Sequence, residues 1–265
     1  MTKTACLCLL LISLASCSHR DTYVQIKGLA QGGTYYITYQ TDGEHPYQKG
    51  IDSIFAAIDN SLSSYNPYST VSRINNNENM SVDPMLTEIF EISKEMYEKT
   101  DHLFDVTAGP IFDFWGFGAA EDTLFLKLTD QQIADSIFQI RQYTGMDKFR
   151  IENGKMIKPD PRAKLNFNAI AQGYTCDVLA RYMESKGIEN YLIEVGGEIY
   201  CKGKNRHGED WNIGIDKPVD GNMLSGKELQ EIIQVSSKGV VSSGNYRKFI
   251  YKDGKKYSHS INPIT

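Results

Sequence analysis

Near its end the chain carries Ser258-His259-Ser260-Ile261-Asn262-Pro263. A histidine set just before an Asn-Pro turn is material for general acid/base work, because its imidazole exchanges a proton near neutral pH; a lone histidine is equally a structural or surface residue. Asn166-Phe167-Asn168-Ala169-Ile170-Ala171-Gln172-Gly173-Tyr174 reads as a strand running into a helix N-terminus. Free backbone N–H groups at such a junction favour a phosphate, although any strand–helix junction looks similar. Leu62-Ser63-Ser64-Tyr65-Asn66-Pro67-Tyr68-Ser69, followed by Val71-Ser72-Arg73-Ile74-Asn75, offers tyrosines able to stack on a planar ring. The same run is also a helix stop and turn. Phe104-Asp105-Val106-Thr107-Ala108-Gly109-Pro110 and Phe114-Trp115-Gly116-Phe117-Gly118 set aromatics beside glycine, as a site or as core. Glu194-Val195-Gly196-Gly197-Glu198 and Ser242-Ser243-Gly244-Asn245-Tyr246-Arg247 complete the set. The first of these is equally a plain Gly-Gly hairpin.

Several familiar chemistries lack their signatures. There is no G-x-G-x-x-G after a strand, no G-x-x-x-x-G-K-[ST], no H-E-x-x-H and no G-x-S-x-G. The formal net charge of -5 leaves no basic excess to neutralise phosphates, which argues against a nucleic-acid binder. Cys176 and Cys201 fit neither a zinc spacing nor a disulfide framework and read as small buried residues.

These segments sit at the ends of elements. Tyr23–Leu29 and Thr34–Gln40 read as strands around Gly28, Gly32 and Gly33. Ile51, Ile54, Phe55, Ile58 and Leu62 share one helical face. Asp83-Pro84 opens a helix expected to bury Leu86, Ile89, Phe90 and Met96, and Thr129-Asp130-Gln131-Gln132 is a capping box before Ile133, Ile137 and Ile140. Short strands are expected at Lys148–Glu152, Lys155–Lys158 and Ala163–Asn166. A helix with Ile170, Tyr174, Val178 and Tyr182 at four-residue steps follows, ending at Lys186-Gly187. Strands are then expected at Tyr191–Val195, Glu198–Lys202, Trp211–Ile215, Glu231–Ser236, Gly239–Ser242 and Tyr246–Tyr251. A helix-rich first half and a strand-rich second half make the fold class α+β.

The N-terminus carries one lysine, an apolar run from Cys6 to Ala15, and Leu14-Ala15-Ser16-Cys17. That is a secretory signal too short to span a bilayer as a helix. The Leu-Ala-Ser-Cys end resembles a bacterial lipobox, whose cysteine is lipidated. The domains expected are therefore a signal peptide at 1–16, a tether at 17–22 from lipidated Cys17, and one domain at 23–265. The location expected is the extracytoplasmic (periplasmic) side of the cell membrane.

Taken in order, the segments resemble the FAD:protein FMN transferases, the ApbE flavin-transferase family of lipoproteins. The resembling pieces are G-L-A-Q-G-G-T-Y (28–35), L-S-S-Y-N-P-Y-S-T-V-S-R-I-N (62–75), F-D-V-T-A-G-P (104–110), W-G-F-G (115–118), N-A-I-A-Q-G-Y (168–174), K-G-I-E-N-Y-L-I-E-V-G-G-E (186–198), S-S-G-N-Y-R (242–247) and S-H-S-I-N-P (258–263). The resemblance implies an ApbE-like fold with the flavin in a cleft between the two halves. It also implies FAD contacts at Gln31, Tyr65, Leu103, Phe104, Asp105, Asn166, Gln172 and Ile261. Ala169 would give a main-chain oxygen to Mg2+, and His259 would lie beside the reacting phosphate. Gln31 stands where the family commonly has Met, and Asn166 where it usually has Asp.

The sequence stops within the family's H-x-I-D-P-x-T-G turn, so a C-terminal segment carrying magnesium-holding Asp and Thr side chains is expected to be missing. The implied reaction is magnesium-dependent transfer of FMN from FAD to a Thr or Ser hydroxyl of an acceptor flavoprotein, such as an exported or membrane redox subunit, with release of AMP. The alternatives are magnesium-dependent FAD hydrolysis and a flavin-binding lipoprotein without catalysis.

Overall fold

The computed structural model describes residues 22–43, 47–118, 123–219, 221–222 and 224–264. The signal segment and Cys17 lie outside the described residues. Strands β1 (Thr22–Ala30) and β2 (Gly33–Thr41) form a hairpin in full register. Its two-residue turn places Gln31 at φ 51 and Gly32 at φ 75, the left-handed pair that such a tight hairpin requires. Along β2 the side chains alternate, and Tyr35, Ile37 and Tyr39 are buried.

Five helices follow before the next long strands: α1 (Gln48–Leu62), α2 (Thr70–Asn75), α3 (Pro84–Lys99), α4 (Gly109–Phe114) and α5 (Asp130–Arg141). In α3 the Asp83 side chain accepts from the Leu86 amide at 2.8 Å, the cap expected from Asp-Pro. Met96 is 36% exposed, however, and Ser93 and Tyr97 take the buried positions beside Leu86, Ile89 and Phe90. The Thr129–Gln132 capping box forms as expected. Ile133, Ile137 and Ile140 are only half-buried, so α5 lies on the surface of the fold.

After β3 (Arg150–Glu152) and β4 (Lys155–Ile157), residues 163–166 do not form the expected strand. They run extended, with one parallel bridge between Ala108 and Lys164. Their backbone is tied instead to the 104–108 loop, the Asn166 amide donating to the Val106 carbonyl at 2.7 Å, and to the Asn75 carboxamide, which accepts from the Leu165 amide at 2.8 Å and donates to its carbonyl at 2.9 Å. The next helix, α6 (Ala171–Ser185), ends at Gly187 with φ 75. Its buried face is Tyr174, Thr175, Cys176, Leu179, Ala180 and Met183. A strict four-residue repeat drifts round a 3.6-residue helix, so the Ile170–Tyr182 stripe leaves the core face along its length.

The remaining strands are β5 (Tyr191–Val195), β6 (Glu198–Lys202), β7 (Trp211–Asp216), β8 (Leu229–Val235), β9 (Lys238–Val240), β10 (Phe249–Lys252) and β11 (Lys255–Ser258). The last expected strand begins three residues later than its sequence suggests, and β11 was not expected at all. A five-stranded antiparallel sheet runs β1-β2-β5-β6-β9. The fold is thus α+β, with the first half contributing two strands of the main sheet as well as five helices.

Helix α6 packs on β5 and β6 and against α1. One core lies between the sheet and these helices, around Ile37, Ile51, Leu179, Met183 and Ile193. A second lies beyond them, around Ile58, Ile74, Leu86, Phe90, Phe167 and Tyr174, with Ile54 packed against both. Full burial of each such side chain stabilises by roughly 1.5–3 kcal/mol. These cores fix the N-terminus of α6 between the sheet and the helical half. Cys176 and Cys201 are buried free thiols, and burial pushes the Cys176 thiol up to about 12, so they pack rather than react.

Candidate active site

His259 follows directly on β11. The β10–β11 hairpin turns at Asp253 and Gly254, with φ 50 and 75. Tyr257 stacks on Trp115 at 5.3 Å between centroids and meets Phe125 edge-on at 6.2 Å. Phe117 meets the His259 ring edge-on at 6.4 Å. The aromatic run after α4 is therefore the bed on which the histidine hairpin lies. The His259 Nδ1 is 3.1 Å from the Lys248 carbonyl oxygen. A carbonyl oxygen only accepts, so in the neutral ring Nδ1 carries the proton and Nε2 keeps a free lone pair.

A second wall comes from the loop after α3. Asp101 and His102 have φ 49 and 67, and the His102 ring stacks on Tyr97 at 4.1 Å, which turns the chain sharply into Leu103. The Thr107 amide and hydroxyl both donate to Asp105 Oδ1, at 2.7 and 2.6 Å. The Gly145 amide then donates to the Thr107 hydroxyl at 2.6 Å. Burial raises the Asp105 carboxyl above its ordinary value, against the lowering effect of the Thr107 bonds.

A third wall is the entry to α6 and the β5–β6 turn. A turn over Asn168–Ile170 separates Asn166 from the helix, which starts at Ala171 with no side-chain cap. The Asn168 amide N–H donates to Asn166 Oδ1 at 2.9 Å. Val195 pairs with Glu198 across Gly196 and Gly197, whose φ values are 63 and 106, a tight Gly-Gly hairpin. A Cβ on Gly196 would overlap the Gln172 carboxamide, so this glycine also makes room for Gln172.

These walls enclose a cavity of about 370 Å³, within the range of small-molecule sites of roughly 300–1,000 Å³. Leu103, Phe104, Asp105, Asn166, Ala169, Gln172, His259 and Ile261 all line it. Tyr65 lines an adjoining cavity of about 250 Å³ that shares Asn166. The Asn168 side chain donates to the Tyr65 hydroxyl at 3.3 Å, so the two spaces meet at these residues. Tyr65 is 60% exposed and free to receive a planar ring. Gln31 does not line either cavity; its carboxamide donates to the Thr175 hydroxyl in the second turn of α6.

Sequence reasoning did not single out Asn168, Glu198, Ser243 or Lys248 as site residues, yet all four line the main cavity. Three of them lie within segments already notable for their glycines and polar residues, and Lys248 immediately follows one. Nothing along the chain shows which of their side chains face inward. Arg247, by contrast, is structural: it donates to Asp216 Oδ2 at 2.7 Å and to the Asn222 carbonyl at 3.1 Å, pinning its segment to β7.

The fit to magnesium is incomplete. Ala169 lines the cavity, but among the described residues no three His, Cys, Asp or Glu side chains come together to hold a metal. The two carboxylates in the wall are Asp105, with Oδ1 engaged by Thr107, and Glu198. Magnesium favours an octahedral oxygen shell including carboxylates, which these residues do not complete.

Residues 21–265 match the ApbE family model. The chain belongs to the ApbE family. This ApbE-family protein is 34% identical over 262 residues to an FAD:protein FMN transferase of Vibrio cholerae serotype O1, covering 96% of this chain and 76% of the relative. It is 28% identical to the FAD:protein FMN transferase of Haemophilus influenzae, covering 96% and 75%. The solved flavin transferase ApbE from Vibrio cholerae superimposes with a TM-score of 0.78 at 32% identity, over 92% of this chain and 77% of that one. An ApbE protein from Thermotoga maritima, at 23% identity and a TM-score of 0.75, shares the fold.

Proposed function

We propose that this protein transfers the FMN half of FAD to an acceptor protein. The observation that carries the reading is the convergence of Asp105, Asn166, Gln172 and His259, from three separate stretches of chain, on one cavity. The names of the relatives, FAD:protein FMN transferases, point to the same substrate and transfer.

In the proposed reaction a Thr or Ser hydroxyl oxygen of the acceptor attacks the FMN phosphorus. A phosphoester bond forms, the P–O bond to the AMP half breaks, and AMP leaves. The hydroxyl proton passes to His259 Nε2, the nitrogen that the Lys248 carbonyl leaves free. Leu103, Phe104 and Ile261 shield the site with apolar surface, while Asn166 and Gln172 supply hydrogen bonds that orient the nucleotide. Magnesium belongs to the proposal on the resemblance alone. When bound it would offset charge on the phosphate oxygens, with the Ala169 carbonyl as one contact.

Anchoring through lipidated Cys17, and so placement on the extracytoplasmic face of a membrane, rests on Leu14-Ala15-Ser16-Cys17 alone. No described helix is long and apolar enough to cross a membrane.

The test is to incubate the protein with FAD, magnesium and an acceptor flavoprotein domain, following in-gel flavin fluorescence and AMP release. Transfer predicts covalent flavin on the acceptor and its loss when the acceptor Thr or Ser is replaced by Ala. AMP together with free FMN would shift the reading to FAD hydrolysis. No FAD binding at all would overturn it.

A further inference from the structure

Side chains along residues 163–167 alternate as they do in a strand. Ala163, Leu165 and Phe167 are buried in the core, and Lys164 and Asn166 are half-buried on the opposite side. Among the described residues, Asn166 alone lines both cavities. One edge of the segment is held by the 104–108 loop, through the Ala108–Lys164 bridge and the bond from the Asn166 amide to the Val106 carbonyl. Along the other edge no described strand lies. There the Asn75 side chain, at the end of α2, accepts from the Leu165 amide at 2.8 Å and donates to the Leu165 carbonyl at 2.9 Å. Lys158 Nζ braces the pair, donating to the Ala163 carbonyl at 2.8 Å and to the Asn75 carbonyl at 3.4 Å. Gly109 lets the segment lie close to α4: a Cβ there would come 3.3 Å from the Lys164 carbonyl oxygen and 3.4 Å from Asn166 Cβ.

A carboxamide carries a donor and an acceptor side by side, as a peptide group does. Asn75 therefore exchanges with Leu165 the two bonds that a neighbouring strand would exchange. A strand in that position would fill the space beside it. A side chain reaching over from a helix end leaves it open, and Asn75, Leu165 and Asn166 all line the cavity of about 250 Å³ found there.

We propose that Asn75 is a positioning residue of the nucleotide site. By holding the Leu165 backbone it fixes Asn166 where the two cavities meet, and it acts on the nucleotide through Asn166. This rests on the reading of the cavities as an FAD site.

The experiment measures FAD affinity by isothermal titration, and melting temperature, for the wild type, Asn75→Ala, Asn166→Ala, Gln172→Ala and the two double variants that join Asn75→Ala to each of the others. Asn75→Ala should weaken FAD by about tenfold, the scale of one hydrogen-bonding contact moved out of place. Added to Asn166→Ala, it should weaken FAD by less than about twofold more, because the contact it positions is already gone. Added to Gln172→Ala, it should exact its full loss of about tenfold. The fall in melting temperature should be similar in all three backgrounds. A merely structural role, or a direct contact between Asn75 and the nucleotide, would make the losses multiply in both double variants and would overturn the proposal. Wild-type FAD affinity in Asn75→Ala or in Asn166→Ala would overturn it too. Asn75→Asp keeps the acceptor for the Leu165 amide and loses the donor to its carbonyl, and it runs the same cycles if the alanine variant does not fold. Failure of both variants to fold would make Asn75 a residue of the fold and not of the site, and the proposal would fall. Those results leave the FAD reading intact, whereas a wild type that binds no FAD would remove both.

Discussion

The Lys248 carbonyl oxygen holds His259 Nδ1 at 3.1 Å across the base of the β10–β11 hairpin. This contact sets the tautomer of the neutral ring and leaves Nε2 as its acceptor. Nε2 takes a proton only as the hydroxyl attacks, so His259 contributes in the reacting state rather than in the bound ground state. His259→Ala should thus lower FMN transfer by about 10²–10⁴-fold, with FAD affinity changed little. Equal losses in binding and rate would mark His259 as a ligand contact instead.

Tyr65 separates stacking from folding. Its ring is 60% exposed, and its one side-chain bond described is the 3.3 Å contact from Asn168. Tyr65→Ala should leave the melting temperature within a degree or two and weaken FAD by about tenfold, the scale of a lost aromatic stack. Tyr65→Phe should bind FAD nearly as wild type. A large drop in melting temperature for Tyr65→Ala would show a structural role.

Asp105 makes a pH signature. Its folded carboxyl titrates above the unfolded value because burial penalises the charge. Its contribution to stability is then fully present below the unfolded value, near 3.8, and is lost as pH rises through the folded one. Asp105→Asn keeps an oxygen for both Thr107 donors and removes the charge. The variant should melt higher than wild type at pH 7 and lose that advantage near pH 4, measured by thermal denaturation at both values. An advantage that grew on acidification would reverse the sign of the argument.

Gly196 is required twice, by its φ of 63 and by the Gln172 carboxamide lying where a Cβ would go. Gly196→Ala should destabilise by roughly 1–3 kcal/mol and also reduce FAD affinity, because Gln172 must move. Gly197→Ala meets the same backbone penalty at φ 106 but has open space around its Cβ. It should destabilise without a comparable loss of affinity. Denaturant titration paired with FAD binding distinguishes the two.

Cys17→Ala should move the protein from the membrane to the soluble exported fraction, as read by fractionation and blotting. Unchanged membrane association in that variant would remove the lipid anchor from the proposal.

The sequence by itself determined the local structure wherever one residue's chemistry decides the backbone. Asp83-Pro84 and Thr129 cap their helices, Gly187 ends α6, and Gly196-Gly197 turns β5 into β6. The alternating strands β1 and β2 and the amphipathic face of α1 were legible for the same reason, since each repeats with its own period. The ordered motifs carried the family and most of the candidate site, as His259, Asp105, Asn166 and Gln172 show. What depends on neighbours distant in the chain was decided by tertiary structure. Ala163–Asn166 has strand composition but bonds the 104–108 loop on one side and the Asn75 carboxamide through Leu165, so it becomes a cavity wall instead of a strand. Met96 fits the spacing of α3 yet faces solvent, because a helix buries only the side its partners cover. Glu198 reads as the first residue of a strand and Lys248 as one inside a strand, and only the packing of the two hairpins against α6 and the aromatic run after α4 turns them into the same cavity. A period or a cap is a property of a few adjacent residues; which side chains share a cavity is a property of how remote elements pack, and no local pattern encodes it.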